Sequence, residues 1–559
     1  MKPCFLLYIL TLSFFAVNAQ PTNAVAIEDI QFDEQYAKRS VPEVTGKLLN
    51  ISAADIQKTI VSYSLVTLGG QVRKTTTVSA DGTFKLELEY PLPYQQIWLG
   101  VGEYFYAGVY ADKDLHVELD MSKIKEGKEL NFNGDGVRYL GTDGPLNVYM
   151  NDYILFRRKE QLALSSRMQR IPRSDKPVAA EVLAAYGSIF DTLKMIQDDY
   201  ISSHPSPYAW ILENERISQY YGQICVCYWN YTMENELFDK VKDHKTYLVS
   251  NSSTGYYRYL STYLRSAPAY RAMVDTRDIA KLPDLTAEER TAIDSLYGPL
   301  QQTSDAQKWM RPLKPRMQKM IQEQTLTKGI HTLDSLFAPS RADFMKLQLN
   351  ISKDLAEQQA TLERLLTSMQ TNWCKQMAKA TYTSNSDKLA AVNKALVSSG
   401  SSASTTTGFG TPLLQTAFGA SLYKVSNTKG ADFLANLRKS FAGKAIVFDL
   451  WATWCAPCLG EMPHSKKLQE ESKNLPVVFV YVCTSSGSDE DKWKRKVAEL
   501  KMPGIHFFID EALDAELAQY FSFSGYPGYA FIDRNGVYKA GAIKRVSEID
   551  KAALTALVK

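Results

Sequence analysis

Two cysteines separated by two residues, Cys455 and Cys458, are the side chains in this 559-residue chain best suited to chemistry. Such a pair can exchange electrons with another disulfide, or it can supply half of a metal site. The run before it, 445–450, is almost continuously apolar and predicts a buried central strand. From 457 to 472 apolar and charged residues recur at helical spacing, and a proline stands in the first turn. The pair is therefore predicted where a strand passes into the N-terminus of a helix.

A helix N-terminus gives the cysteine pair a specific reactivity. Unpaired backbone N–H groups and the positive end of the helix dipole stabilise a thiolate there. We therefore expect Cys455, the more exposed of the two, to have a pKa below the ~8.5 of a free thiol and to act as nucleophile. Cys458, one turn further into the helix, would resolve the mixed disulfide that Cys455 forms.

Two acidic residues lie close to the pair in sequence. Asp449 stands six residues before Cys455, and Glu461 stands three residues after Cys458. A carboxylate near a thiol pair can accept or donate the proton that disulfide exchange requires. The alternatives are that Asp449 is a tolerated polar residue in a strand and that Glu461 belongs to a solvated helix face.

These residues resemble the TlpA/ResA-type envelope disulfide oxidoreductases, a group of thioredoxin-fold proteins. The resemblance rests on the Trp454–Cys458 core, on Asp449 and Glu461, on Met462-Pro463 after them, and on Tyr526-Pro527. Residues 530–538 also resemble the hairpin that closes the sheet in that family, with Asn-Gly supplying the turn. The resemblance implies a thioredoxin-like α/β domain, and it covers only the last quarter of the chain with specificity.

The resemblance also implies roles for the residues around the cysteines. Asp449 and Glu461 would take part in proton transfer, and Tyr526-Pro527 would be the cis-proline loop that faces the cysteines. Trp454, Tyr526 and Pro527 would contact the substrate, since a cis-proline exposes the preceding backbone to a bound peptide. Tyr526 and Gly528 stand where family members commonly have Val or Ile and Thr, which alters the peptide-facing surface.

The resemblance implies partners but no cofactor. Disulfide-bearing envelope proteins would be the substrates, and a membrane-borne thiol donor would restore the reduced pair. No metal is expected, because the six histidines are scattered along the chain. A net charge of +3 gives no electrostatic case for nucleic acid.

The first nineteen residues predict export. Lys2, an apolar run over 5–17 and Val17-Asn18-Ala19 form a signal-peptide pattern with cleavage after Ala19. The apolar run is too short to span a bilayer comfortably, and no later segment is apolar for long enough to cross one. We therefore expect the mature protein in the periplasm or cell envelope.

The other cysteines are expected to be inert. Cys225 and Cys227 lie two apart on a predicted helix, where they point to different sides and neither bond nor share a metal easily. Cys483 ends a predicted strand and is expected in the core.

Periodicity predicts a multidomain chain. After the signal peptide (1–19), the alternation over 20–140 predicts an all-β sandwich-like domain, and the 3.6-residue period over 141–397 predicts an all-α region. Within this region, 343–381 reads as helical and Thr286 with Glu289 forms a capping-box pattern. A Ser/Thr/Gly-rich linker over 398–410 precedes the thioredoxin-like domain, 411–559.

Together these features predict an exported thiol–disulfide oxidoreductase that reduces protein disulfides through Cys455 and Cys458. The alternative is an envelope binding or scaffold protein that uses its thioredoxin-like domain for docking, because most of the chain is not catalytic. A thiol peroxidase is disfavoured, since the Pro-x-x-x-Thr-x-x-Cys setting of a peroxidatic cysteine is absent.

Overall fold

The computed structural model describes residues 27–56, 58–125, 134–169, 171, 178–268, 270, 273, 275–298, 306–349, 352, 354–396 and 410–559. The predicted signal peptide and residues 398–409 of the predicted linker lie outside the described residues. The chain divides into two compact units. The first unit contains the residues up to Leu349 together with Ser368–Gln376, and the second contains Asn350–Thr367 and Met377–Lys559.

The first unit contains two four-stranded sheets. One sheet has the order β4-β1-β7-β8 and the other β3-β2-β5-β6, and neighbouring strands are antiparallel except for the parallel pair β1–β7. Buried side chains of both sheets form one shared core. The strands are β1 (Glu43–Leu49), β2 (Val61–Thr67), β3 (Gly70–Thr76), β4 (Thr83–Leu86), β5 (Gln95–Val101), β6 (Phe105–Ala111), β7 (Asp114–Asp120) and β8 (Val137–Leu140).

Helices complete the first unit. Tyr110 of β6 packs with Leu146, Tyr149 and Leu212 of the helices that follow the sheets. Because of such contacts the sheets and most of the helices belong to one compact unit. The helices of this unit are α1 (Phe32–Tyr36), α2 (Ala53–Ile56), α3 (Met121–Lys125), α4 (Gly144–Phe156), α5 (Arg158–Gln169), α6 (Ala179–Ser203), α7 (Ala209–Cys227), α8 (Asn235–Asp243), α9 (Asn251–Ser266), α10 (Thr276–Ile279), α11 (Ala287–Tyr297), α12 (Ala306–Met310), α13 (Lys314–Leu336) and α14 (Pro339–Lys346).

Local signals predicted the start of α11 correctly but did not predict the breaks within 343–381. The capping box of Thr286 and Glu289 is present at the start of α11. The stretch 343–381 is divided among α14, α15 (Leu355–Ser368) and α16 (Asn372–Leu396). The Asp343 carboxylate accepts hydrogen bonds from the backbone N–H groups of Gln370 and Thr371, at 2.6 and 2.7 Å. These two N–H groups directly precede α16 and thereby gain a hydrogen-bond acceptor.

The second unit is built on a mixed seven-stranded sheet of order β15-β14-β11-β12-β13-β10-β9. The central strands β11, β12, β13 and β10 are parallel, whereas β14, β15 and β9 pair with their neighbours in antiparallel fashion. Its strands are β9 (Thr411–Gln415), β10 (Ala420–Val425), β11 (Ala445–Trp451), β12 (Val477–Thr484), β13 (Gly504–Ile509), β14 (Gly528–Ile532) and β15 (Tyr538–Lys539), and its further helices are α17 (Gly430–Ser440), α18 (Ala456–Glu471), α19 (Glu490–Leu500), α20 (Glu511–Phe521) and α21 (Lys551–Val558).

The strand β11 lies at the centre of this sheet. All seven of its residues are buried, as its continuous apolar run predicts. Alternate residues supply two cores, one on each face of the sheet. Val447 and Trp451 face the core that contains Cys455 and Cys458, whereas Phe448 and Leu450 face the opposite core.

The second unit extends beyond the predicted 411–559 segment. Leu355 of α15 and Val392 of α16 share a small core with Ala498 of α19. Arg495 of α19 donates two hydrogen bonds to the Asp354 carboxylate, at 3.0 and 3.1 Å. These contacts place α15 and α16 largely in the same unit as the sheet. No helix within the described ranges is long and apolar enough to cross a membrane.

Candidate active site

Cys455 and Cys458 are joined in a disulfide at the start of α18. Cys455 is the N-cap residue of this helix, and its Sγ atom accepts a hydrogen bond from the backbone N–H of Cys458 at 3.2 Å. Only 3% of Cys455 is exposed, and Cys458 is fully buried. A thiolate at Cys455 would therefore lie against a backbone donor at the positive end of the helix.

Asp449 lies in β11 and is almost fully buried, with 2% of its surface exposed. Neither carboxylate oxygen has a hydrogen-bond partner among the described residues. Burial, with a smaller contribution from the negative charge of Glu461, raises the pKa of Asp449 well above its usual range. Burial therefore favours the protonated form of Asp449, in the strand that leads towards the disulfide.

Asp449 belongs to a row of polar side chains that crosses the sheet. It is paired with Tyr529 on β14 and with Tyr481 on β12, and Tyr481 is paired with His506 on β13. Directly paired residues project from the same face of a sheet, here the face that carries Cys455 and Cys458. Burial raises the pKa of both tyrosines, followed in the case of Tyr529 by the charge of Asp449.

The members of this row differ in their hydrogen bonds. The hydroxyl of Tyr481 contacts the Ser465 hydroxyl of α18 at 2.8 Å. The ring of Tyr481 stacks on His506 with a centroid distance of 4.8 Å, and burial lowers the pKa of His506 to about 4. The Tyr529 hydroxyl is buried and has no partner within the described part of the chain. Burial therefore disfavours the charged forms of Asp449, both tyrosines and His506, and the Tyr529 hydroxyl opposite Asp449 has no acceptor among the described residues.

Glu461 lies on α18, one turn beyond Cys458, and is partly buried. Its carboxylate accepts hydrogen bonds from both the backbone N–H and the hydroxyl of Ser547, each at 2.9 Å. This contact fixes Glu461 against the segment that precedes α21. The negative charge of Glu461 also contributes to the raised pKa of Asp449, so the two carboxyl groups interact electrostatically.

The predicted substrate-contacting residues lie together beside the cysteines. The Tyr526–Pro527 peptide bond is cis. The rings of Trp454 and Tyr526 meet edge to face with a centroid distance of 5.7 Å. Trp454 is 52% exposed, which is unusual for so large an apolar ring and leaves it open to contact.

Two further contacts hold this exposed surface in place. The indole N–H of Trp454 donates to the carbonyl oxygen of Ser486 at 2.8 Å, and Gly487 follows directly with a positive φ of 68°. The Tyr526 hydroxyl donates to the Asp514 carboxylate at 2.6 Å. Burial raises the pKa of Asp514, although the bond from Tyr526 opposes that shift.

The remaining cysteines form no disulfide among the described residues. Cys225, Cys374 and Cys483 are buried, and Cys227 is half-buried. Burial raises the pKa of Cys483. Among the residues that the structure describes, no group of three or more His, Cys, Asp or Glu side chains could hold a metal ion.

Sequence reasoning missed several residues around the cysteines. Tyr481 fell within a predicted strand and Tyr529 directly before the predicted hairpin, but their position opposite Asp449 depends on which strands are neighbours. Asp514 and Ser547 anchor Tyr526 and Glu461 from segments distant in sequence. Alternation along β12 could have placed Tyr481 on the face of Cys483, but nothing in the sequence pairs it with Asp449.

The C-terminal domain is similar to known redox proteins. A sequence model of the Redoxin family matches residues 423–556. Thioredoxin-like protein YneN of Bacillus subtilis is 32% identical over 96 residues, which covers 17% of this chain and 54% of YneN. Thiol-disulfide oxidoreductase ResA of Oceanobacillus iheyensis is 45% identical over 40 residues, covering 7% of this chain and 21% of ResA. The chain thus spans about half the length of the first relative and a fifth of the second.

A solved structure, the thioredoxin domain of a thiol-disulfide oxidoreductase from Bacteroides vulgatus, is 20% identical with a TM-score of 0.20. That match covers 22% of this chain and 84% of the solved chain. The family match and the relatives support a thioredoxin-fold, thiol–disulfide oxidoreductase-like domain at the C-terminus.

Proposed function

We propose that this protein is an exported thiol–disulfide oxidoreductase that reduces disulfides in envelope proteins through Cys455 and Cys458. The observation that carries the proposal is the Cys455–Cys458 disulfide at the N-terminus of α18, with Asp449 buried in the adjoining strand. A helix N-terminus favours the thiolate, and a buried acid can move the proton that the second cysteine must lose.

The first step is attack by the Cys455 thiolate on one sulfur of a substrate disulfide. The new bond joins Cys455 to the substrate, the substrate S–S bond breaks, and its other sulfur leaves as a thiolate. The backbone N–H of Cys458, which already points at Sγ of Cys455, stabilises the attacking thiolate. Trp454 and Tyr526 provide an exposed aromatic surface for the substrate backbone near this sulfur.

The second step releases the substrate. Cys458 gives its proton to the carboxylate of Asp449 or Glu461, attacks Sγ of Cys455, and displaces the second substrate sulfur as a thiolate. The two cysteines are then joined in the disulfide that the structure contains, and two electrons have passed to the substrate. A membrane-borne thiol donor would run the same steps in reverse on Cys455–Cys458, with neutral Asp449 protonating the departing Cys458.

The test is the reduction potential of the pair. The full-length mature protein is equilibrated in graded thiol–disulfide buffers, and free thiols are counted by alkylation mass shift, with Cys455→Ser as the control. We expect a reversible two-electron transition near the ~−270 mV of thioredoxin. A value near ~−120 mV would instead indicate an oxidant. The absence of any transition would favour the docking or scaffold role.

A further inference from the structure

The first unit contains a cavity of about 220 Å³ between the β5–β6 strand pair and helices α4, α6, α7 and α9. Exposed residues, Gln219 and Asn251, lie among those that line it, so the cavity can be reached from solvent. Its volume is below the 300–1,000 Å³ typical of sites for drug-sized ligands. The cavity therefore suits a ligand the size of a single sugar ring.

Two arginines line this cavity without a carboxylate partner. Neither Arg157 nor Arg216 forms an ion pair with any described residue, whereas the comparably buried Arg39 and Arg316 pair with Asp112 and with Asp284 and Glu289. The Nε atom of Arg157 is buried and has no hydrogen-bond partner in the described segments. The guanidinium of Arg157 lies over the Tyr153 ring, 4.9 Å from its centroid, and its Nε–H group still lacks an acceptor within the described part of the chain. A buried donor without an acceptor is costly, and a ligand oxygen can supply the acceptor.

One acid, Glu215, also lies in the cavity wall. Glu215 accepts a hydrogen bond from the Ser250 hydroxyl and forms no ion pair with a described residue. Burial raises the pKa of Glu215, whereas hydrogen bonds from serine side chains and the charge of Arg157 oppose that shift. Arg216 instead donates from Nε to the amide oxygen of Gln197 at 2.9 Å. The charged side chains that line the cavity are therefore two guanidinium groups and one carboxyl group.

The remaining wall offers an aromatic ring beside amide groups. Trp98 of β5 lines the cavity and stacks on Tyr106 with a centroid distance of 5.7 Å. Gly108 is paired with Trp98 across the strands, and a Cβ atom there would lie 3.4 Å from the indole ring. The lack of a side chain at Gly108 leaves this part of the indole uncovered. An indole face and a set of amides suit the body of a hydroxylated ring.

We propose that this cavity binds a small organic oxyanion, a carboxylate or phosphate monoester carried on a sugar-sized ring, with Arg157 and Arg216 holding the anion. The guanidinium groups supply charge-assisted, forked hydrogen bonds, for which carboxylate and phosphate have matching geometry. Trp98 covers one face of the ring. The site lies outside the thioredoxin-like domain and does not depend on the proposed redox function.

Three ring compounds that differ at one position test the proposal. Glucose, glucuronate and glucose 6-phosphate are each titrated into the full chain by isothermal titration calorimetry. We expect at least one of the two anions to bind about tenfold more tightly than glucose, as the loss of a charge-assisted hydrogen bond implies. Whichever anion binds more tightly identifies the carboxylate or the phosphate as the preferred group.

Variants then locate the binding. Arg157→Gln and Arg216→Gln should each weaken anion binding about tenfold, while Arg158→Gln removes the same charge next to the cavity and should have no effect. Arg157→Lys keeps the charge and serves as a second variant if the glutamine form folds poorly, as checked by thermal unfolding. Equal affinity for glucose and the anions, wild-type affinity in both glutamine variants, or no binding of either anion at millimolar concentration would overturn the proposal.

Discussion

At the scale of single residues, the burial of Asp449 predicts a pH-dependent contribution to stability. Its raised pKa means that, above the usual aspartate pKa of ~3.9, the unfolded chain loses this proton while the folded chain keeps it. Stability therefore falls as pH rises from that value to the pKa of the folded protein, by about 1.4 kcal/mol per pH unit, and then levels off. Asp449→Asn removes this titration.

We accordingly expect oxidised Asp449→Asn to be more stable than the wild type at neutral pH and to differ little from it near pH ~3. Urea unfolding of the C-terminal unit, followed across this pH range, checks the prediction. Parallel stability curves for the two proteins would show that the burial of Asp449 does not suppress its ionisation.

We expect the hydroxyl of Tyr529 to affect the pKa of Asp449. Its unpartnered hydroxyl lies on the strand next to Asp449 and can donate to the carboxylate once that group ionises. Tyr529→Phe would remove a charge-assisted hydrogen bond and raise the pKa of Asp449 further. We expect the acid limb of the pH–rate profile for disulfide exchange to move upward by about one pH unit.

The control for this experiment is Tyr538→Phe. Tyr538 packs against the opposite face of the sheet, and its hydroxyl donates to the carbonyl oxygen of Phe521. This variant loses a tyrosine hydroxyl away from the cysteines and should keep the wild-type profile. An unshifted limb in Tyr529→Phe would mean that the two side chains do not interact during the reaction.

At the scale of secondary-structure elements, Glu461 connects α18 to the segment before α21 through Ser547. A proton-transfer role and a purely structural role make different predictions. We expect Glu461→Gln to slow exchange on the order of a hundredfold, as loss of a general acid–base implies, whereas Ser547→Ala stays near the wild-type rate. Stopped-flow measurement of substrate release checks this. Equal, small effects in both variants would assign Glu461 a structural role only.

The turn that follows β12 contacts the exposed ring of Trp454 and holds it in position. A Cβ atom at Gly487 would lie 2.8 Å from the indole nitrogen, and the positive φ of this residue disfavours any side chain. Gly487→Ala should displace the ring, break its hydrogen bond to Ser486, and raise KM for a protein disulfide roughly fivefold. The reduction potential should not change.

Gly443→Ala is the matched control for the turn. Gly443 also has a positive φ, of 78°, but no atom lies within 4 Å of the position that its Cβ would occupy. The two variants therefore share the backbone strain and differ in the contact with Trp454. Similar KM values for both would show that Trp454 does not contribute to substrate binding.

At the scale of the whole molecule, α15 and α16 are part of the unit that contains the cysteines. The Arg495–Asp354 pair is partly buried, and Asp354 also accepts backbone N–H groups at the start of α15. A double-mutant cycle of Arg495→Gln and Asp354→Asn should give a coupling energy of about 1 kcal/mol in urea unfolding. Lys494→Gln, which removes a neighbouring charge paired within α19, is the control. A coupling energy of zero would mean that this pair does not stabilise the unit.

Much of the candidate site could be predicted from the sequence because its signals are local. The apolar run of β11, the spacing of the cysteines and the proline in the first turn of α18 act over one strand and one helix. The breaks within 343–381 could not be predicted, and the break before α16 is bound by Asp343, 27 residues before Gln370. Local periodicity carries no information on such a contact.

The type and order of the elements around the cysteine pair follow from local sequence, since hydrophobic period and capping preferences are properties of neighbouring residues. Long-range contacts bring other groups together: they align Tyr529, Asp449, Tyr481 and His506 in one row, anchor Tyr526 to Asp514, and place Arg157 and Arg216 at one cavity. Strand pairing and helix packing join segments distant in the chain, so the charge and burial of these groups arise only on folding.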